Sequence, residues 1–214
     1  MNKKEEELAR IAEEIAQCQK CPLYKTATKP VPGQGSAEAR AIFIGEAPGY
    51  YEDQSGVPFC GRAGKLLDKM LVLAGLKRED VFIGNILKHR PPGNRDPKPE
   101  EITACRGFLN RQIAVIEPEI IVTLGRFAMN EFLPEAKISQ AHGQFRFVDY
   151  NDKEYILFPV YHPAAALRRT SLKETEEEDF KKLKEFLFKL SQANSPVKEE
   201  LVKRDDKEKQ MSLL

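Results

Sequence analysis

The chain has 214 residues, 41% hydrophobic and 31% charged, with a formal net charge of +1. That length suits one domain of ordinary size with a full core. The composition excludes a membrane-embedded chain, because no apolar run approaches a span, and it excludes a polycation, so any nucleic-acid contact must come from a local patch.

The first segment, "MNKKEEELARIAEEIAQ", is charged and amphipathic, and its spacing predicts a helix over 3–17 with Leu8, Ile11 and Ile15 on one face. It lacks the apolar centre of a signal peptide, so a cytoplasmic protein is expected, in which cysteine more often means metal or catalysis than a disulfide. Residues 18–36 form a loop rich in Pro, Gly and Lys. "ARAIFIGEAPG" (39–49) is a short apolar run stopped by Gly and Pro, hence a buried strand feeding a loop. The stretch 61–76 has helical period with Leu66, Leu67, Met70 and Leu71 inward, and 80–89 reads as a second buried strand. A helix over 98–118 opens with Pro and Glu. A third strand follows at 119–125, then a short helix, "RFAMNEFL". Residues 144–163 read as a hairpin around Asn151-Asp152 whose second arm enters the sheet, and 176–192 as a closing helix. Buried strands alternating with helices imply a three-layer α/β/α fold around a central, mainly parallel four-stranded sheet. The domain is expected to span 1–192, with 193–214 a charged, flexible tail.

Ligands of such sheets bind beyond the carboxyl ends of the strands. Here those ends carry "GEAPGYYED", "NILKHRPP", "TLGRFA" and "YHPAA". Cys18 and Cys21 form a C-x-x-C, which by itself suits zinc, redox or iron–sulfur chemistry. The redox reading is poor, because the pair does not sit at a strand-to-helix turn. With Cys105 and His89 the set suits tetrahedral zinc or a cubane cluster equally by count.

"GEAPGYYEDQSGVPFCGRAG", "NILKHRPPGNRDPKPEE", "IEPEIIVTLGRFA" and "PVYHPAAALRR", in order and with similar spacing, resemble the family 4 uracil-DNA glycosylases, the iron–sulfur branch of that superfamily. The likeness runs from about Cys18 to about Leu190. It implies a uracil-DNA glycosylase-like fold and a monofunctional DNA-repair enzyme that flips uracil out of DNA, hydrolyses its N-glycosidic bond and leaves an abasic site. It also implies a [4Fe–4S] cluster on Cys18, Cys21 and Cys105. The family's remaining cysteine falls in a K-C-R-P-P segment, where this chain has Lys88-His89-Arg90-Pro91-Pro92. His89 is therefore expected to take that cysteine's place, as imidazole does in Rieske centres. Cys60 falls where the family has a small apolar residue and is not expected to ligate.

The resemblance further assigns Asn85 to the uracil edge and Phe59 to its face, with Glu46, Ala47 and Gly49 shaping the loop around the base. His162 is assigned to O2, where negative charge develops, and Glu52 to the attacking water. A local phosphate patch is expected from Arg90, Arg168 and Arg169, with Lys88, Arg62, Lys65 and Arg126 nearby, and Leu167 or a neighbour filling the hole left by the flipped base. No inserted basic loop with a nucleophilic histidine is present, so turnover is expected rather than a trapped adduct. The last residues, Gln210–Leu214 ("QMSLL"), resemble peptides that dock bacterial repair proteins on the sliding clamp. A monomer acting on uracil-containing DNA is the reading. The alternative is a lesion-recognising DNA-binding protein with weak turnover.

Overall fold

The computed structural model describes residues 2–192. Four parallel strands form its centre: β2 (Ala41–Gly45), β3 (Phe82–Asn85), β4 (Ile120–Leu124) and β6 (Lys153–Val160). Two antiparallel edge strands extend the expected four to six: β1 (Gln34–Gly35) on β3 and β5 (Arg146–Tyr150) on β6, giving the order β1-β3-β2-β4-β6-β5. β1 was hidden because two residues in a Pro/Gly-rich loop carry no alternation. β5 is the first arm of the expected hairpin, and Asn151 and Asp152 both take positive φ at its turn, as a tight hairpin with matching twist requires.

The central strands are buried on both faces, and their period of two divides the core. Phe43, Ile83, Val122 and Phe158 face one side, against α3 (Arg62–Leu73) and α8 (Thr170–Ser191). Ile42, Ile44, Ile121 and Leu157 face the other, against α4 (Pro99–Ile116) and α5 (Arg126–Phe132). α1 (Lys3–Ala16) packs on the outer face of α4 through Ile11, Ile15 and Phe108. A capping box of Asn2 and Glu5 starts α1, worth about 1 kcal/mol, and Arg111 of α4 bonds Glu7 and Glu14 across the pair. α8 begins six residues before the expected 176, because "TSLKET" continues its period without a breaker. Three short helices, α2 (Tyr50–Ser55), α6 (Ile138–Ala141) and α7 (Pro163–Ala166), lie in connections. No helix among the described residues is long and apolar enough to cross a membrane. The tail at 193–214, with Gln210–Leu214, lies outside the described residues.

α8 carries an unusual acid. Glu176 is fully buried and both its carboxyl oxygens lack a partner, whereas Asp179 accepts from His142 Nδ1 at 2.8 Å and pairs with Lys182. Burial, with the neighbouring Asp179 charge, pushes Glu176 up to about 8. It holds its proton when folded and releases it near 4.5 when unfolded. The folded state therefore binds the extra proton between those values, and stability falls as pH rises through that window, by up to about 1.4 kcal/mol per pH unit. Glu176→Gln cannot ionise. Melting temperatures from pH 5 to 8 are expected to fall less steeply for the variant than for the wild type, and equal slopes would refute the assignment.

Candidate active site

The chain runs β2, α3, β3 to one side, then crosses to β4 and β6 on the other, so a crevice opens at the carboxyl ends of the central strands. A cavity of about 410 Å³ lies there. The turn after β2 contributes Glu46 to Gly49, and the loop before α3 contributes Phe59. Asn85 closes β3, and His162 and Ala164 follow β6. The turn "PPGNRDP" supplies a wall that the sequence reading missed: Pro91, Asn94, Arg95 and Asp96 line the cavity. That turn has no hydrophobic period, so only its rigidity was visible. Its rigidity has a clear source, since the Arg95 guanidinium donates two hydrogen bonds to the buried carboxylate of Glu101, at 2.9 and 2.5 Å.

Asn85, Phe59 and His162 thus share one cavity. A glycine makes this possible. Gly45 pairs with Asn85 across the sheet, and a Cβ there would stand 2.5 Å from Asn85 Oδ1 and 2.6 Å from Phe59 Cζ. Phe59 itself holds φ of 50°, a conformation disfavoured for any residue with a side chain. It is locked there from two sides. Gly64 of α3 lies so close that a Cβ would meet the Phe59 carbonyl at 1.6 Å, and Arg78 donates to the preceding Pro58 carbonyl while pairing with Asp68 at 2.8 Å.

Asn85 is 1% exposed, and its Oδ1 is buried without a hydrogen-bond partner. A buried, unmet acceptor is costly, and one aimed into a cavity awaits a donor. His162 Nδ1 accepts from the Ala164 N–H at 3.1 Å, and burial holds the ring down at about 4. The ring is therefore neutral at pH 7, with its proton on Nε2. Its centroid lies 5.7 Å from that of Phe59.

Two carboxylates border the cavity. Glu52 accepts from the Gly61 N–H at 3.1 Å through Oε1, and Oε2 lies against Gly49. Glu46 is half-buried and raised to about 7, chiefly by burial and then by Asp96, with Arg126 opposing. Arg126 pairs with Asp96 at 2.6 Å and lies over Phe127, so its charge is already engaged.

Beside the cavity runs a groove of about 410 Å³ lined by Arg62, Lys65, Lys69, Arg168, Arg169 and Lys173, with Leu167, 42% exposed, on its edge. Arg168 borders both spaces. Lys69 and Lys173 were missed because they sit on separate helices, α3 and α8, that only the fold brings together. Arg90 is half-buried, bonded to Asn94 Oδ1 at 2.7 Å. Lys88 must be removed from the expected phosphate patch. It is wholly buried, donating to the Asn85 carbonyl at 2.8 Å and to Gln112 Oε1 at 2.7 Å.

The candidate cluster ligands lie on the α1–α4 side. Cys18 and His89 line a common cavity of about 170 Å³. Cys105 lies within electrostatic reach of both Cys18 and Cys21, and its sulfur accepts from the Lys88 N–H. Cys21 sulfur accepts from the Leu23 N–H. Burial raises both these thiols and lowers His89, which favours neutral imidazole. Among the described residues, no three His, Cys, Asp or Glu side chains are grouped as ligands of one metal ion. Cys60 is exposed and hydrogen-bonds with Ser55.

The layered sheet and the cavity at its switch point define a uracil DNA glycosylase superfamily domain, and that family's model matches residues 32–188. Among curated proteins, the chain is 49% identical to the type-4 uracil-DNA glycosylase of Archaeoglobus fulgidus, over 86% of this chain and 95% of that one. It is 48% identical to the type-4 enzyme of Sulfurisphaera tokodaii, over 83% and 84%, and 40% identical to that of Thermotoga maritima, over 88% and 99%. The chain belongs to the type-4 uracil-DNA glycosylases.

The two titrations separate cleanly. In NMR of the labelled protein, His162 is expected to stay neutral from pH 5.5 to 8 with the proton on Nε2, while the Glu46 carboxyl titrates near 7. A His162 midpoint near its ordinary 6.5, or a Glu46 midpoint near 4.5, would contradict the environments described.

Proposed function

We propose that this protein everts uracil from DNA into the Asn85 cavity and hydrolyses its N-glycosidic bond, leaving an abasic site. The observation that carries the reading is the unmet Asn85 Oδ1, buried beside an aromatic face and a neutral imidazole. Uracil supplies what these groups lack. Its N3–H satisfies Oδ1, its O4 takes the carboxamide N–H, and its face meets Phe59. Bond cleavage places positive charge on the sugar and negative charge on O2. His162 Nε2–H donates to that oxygen without bringing a cation into a dry site. Glu52 remains our candidate for holding the water, with Oε1 fixed by Gly61 and Oε2 available. Glu46, with Ala47 and Gly49, shapes the loop around the base.

The basic groove is the natural path for the phosphates flanking the flipped nucleotide, with Arg168 at the junction and Arg169 beyond it. Arg90, bonded to Asn94 of the cavity wall, supplies a further cation. Leu167 is the apolar side chain free to fill the vacated stack. Work as a monomer on chromosomal DNA in the cytoplasm completes the reading, with Gln210–Leu214 as a clamp-docking peptide.

Cys18, Cys21, His89 and Cys105 are proposed to hold a [4Fe–4S] cluster. A cubane is larger than one ion, and its ligands stand further apart, which suits a donor set that converges without closing around a point. Backbone N–H groups on two of the sulfurs suit thiolate ligation. The cluster would act as a structural staple, joining the loop after α1 to β3 and α4.

Release of free uracil from a labelled oligonucleotide tests the activity. Asn85→Asp leaves no donor for O4, and excision is expected to fall at least about a hundredfold while DNA affinity changes less than about threefold, since each lost polar contact costs a few kcal/mol. Equal losses in both would remove Asn85 as the base reader. Iron analysis tests the clip. Protein purified without oxygen is expected to be brown with about four irons per chain, as a cubane requires. His89→Cys is expected to retain the iron and His89→Ala to lose it and melt earlier. Stoichiometric zinc in a colourless protein, or full iron in the alanine variant, would overturn the ligand set.

A further inference from the structure

Five large apolar or aromatic side chains are exposed among the described residues: Tyr50, Tyr51, Val72, Leu167 and Phe188. Three of the five border the cavity's wall residues or the adjoining groove. Tyr50 and Tyr51 directly follow Gly49 of its wall, and Leu167 edges the basic groove. The two tyrosines are 53% and 63% exposed, and their rings meet edge to face at 5.5 Å. The Arg90 guanidinium lies 5.2 Å over the Tyr50 ring, and Arg90 is bonded to Asn94 of the cavity wall. On the other flank Tyr51 lies against Gly61, where a Cβ would come within 3.3 Å of its ring, one residue before Arg62 of the groove. The pair therefore lies between Arg90, which is bonded to the cavity wall, and the Gly61 turn that leads into the groove.

This surface is also held still. Asp53, buried in the same short helix, accepts from the Thr28 N–H at 2.8 Å, and Glu52 is tied to Gly61. Gly56 ends the helix at φ of 81°. Two aromatic rings on a pinned helix, flanked by arginines, make a shelf with π faces and positive charge.

We propose that Tyr50 and Tyr51, with Arg90, stack the nucleobase adjacent to the everted uracil. The proposal rests on the reading of the Asn85 cavity as the uracil site. Eversion strips the neighbouring base of one stacking partner, and an aromatic face replaces it whatever the base, since every base has a π face. The arginine offers cation–π contact and phosphate attraction at once. An unpaired neighbour reaches such a shelf freely, whereas one held in a duplex must first fray. The shelf therefore favours uracil in single strands and at frayed or mismatched positions.

The test uses single-stranded oligonucleotides carrying one uracil, with ordinary neighbours or with a tetrahydrofuran residue replacing the neighbour on the 5′ or the 3′ side. Removing the stacked neighbour is expected to lower wild-type kcat/KM about tenfold, the scale of one base–aromatic stack. The Tyr50→Ala/Tyr51→Ala enzyme is expected to be equally slow on the intact strand and indifferent to the missing base. Tyr50→Phe/Tyr51→Phe, which keeps both rings, is expected to behave as wild type. A double-alanine enzyme that still discriminates as wild type does, or a wild type indifferent to both replacements, overturns the shelf alone. A wild type that releases no uracil from any of the strands overturns the cavity reading and the shelf with it.

Discussion

A single buried ammonium fastens the strand that carries Asn85 to the helix and loop that carry the cysteines. Lys88 lies one residue before His89 and three after Asn85, and it is fully buried. Its Nζ bonds the Asn85 carbonyl and Gln112 Oε1, and Gln112 Nε2 in turn bonds the Pro32 carbonyl. Its own carbonyl takes the Val31 N–H, and its N–H goes to the Cys105 sulfur. Strand β3, helix α4 and the loop after α1 are thus fastened at one residue. Burying a cation is expensive, and desolvation lowers Lys88 to about 8, so it is still charged at neutral pH. That cost is met by two strong acceptors rather than by a counter-ion. The consequence for the site is direct. Asn85, the residue proposed to read the base, cannot shift along its strand without breaking the bonds that hold the cysteine-bearing loop.

Lys88 also shows where sequence reading stops. A lysine between a buried strand and an arginine looks like a phosphate contact, and nothing in a linear pattern says that its side chain turns inward. The strands and main helices were legible because apolar residues at periods of two and 3.6 survive in the one-dimensional pattern: Ala41–Gly45, Phe82–Asn85 and Ile120–Leu124 were each visible as short apolar runs. Phe59, Asn85 and His162 were legible only through a resemblance, since each alone suits an ordinary core or strand-end residue. The wall made by Pro91 to Asp96 and the pairing of Lys69 with Lys173 were not legible at all. Both depend on which segments the crossover from β3 to β4 and the fall of α8 across α3 bring side by side.

The cavity is built by removing atoms as much as by placing them. Gly45 lets Asn85 and Phe59 approach, and Gly64 lets the backbone at Phe59 sit against α3. Strain at Phe59 is tolerated because its neighbours over-determine it, as strained residues at functional sites commonly are. The polar groups follow the same economy. His162 spends its one ring acceptor on a backbone N–H, which leaves a donor and no charge. Asn85 leaves an acceptor unmet. In the proposed reading one flat ligand, uracil, meets both groups together against the Phe59 face.

The proposed clip and the proposed shelf are mechanically connected. The loop from Cys18 to Pro32 contains only one short turn of 3₁₀ helix, Pro22–Lys25, so its course is not fixed by regular hydrogen bonding. What holds it is contact along its length: Cys18 and Cys21 near Cys105, Leu23 buried in the core, Asp53 on Thr28, and Lys88 on Val31. Asp53 belongs to the helix that carries Tyr50 and Tyr51, and its charge is felt by His89. Through Thr28 and Asp53 the loop is thus in direct contact with the helix that carries the two rings. The proposed clip would then need to transfer no electrons to matter for catalysis, because the proposed stacking surface is useful only while it is rigid. Ordering it beforehand removes an entropy cost that binding would otherwise pay.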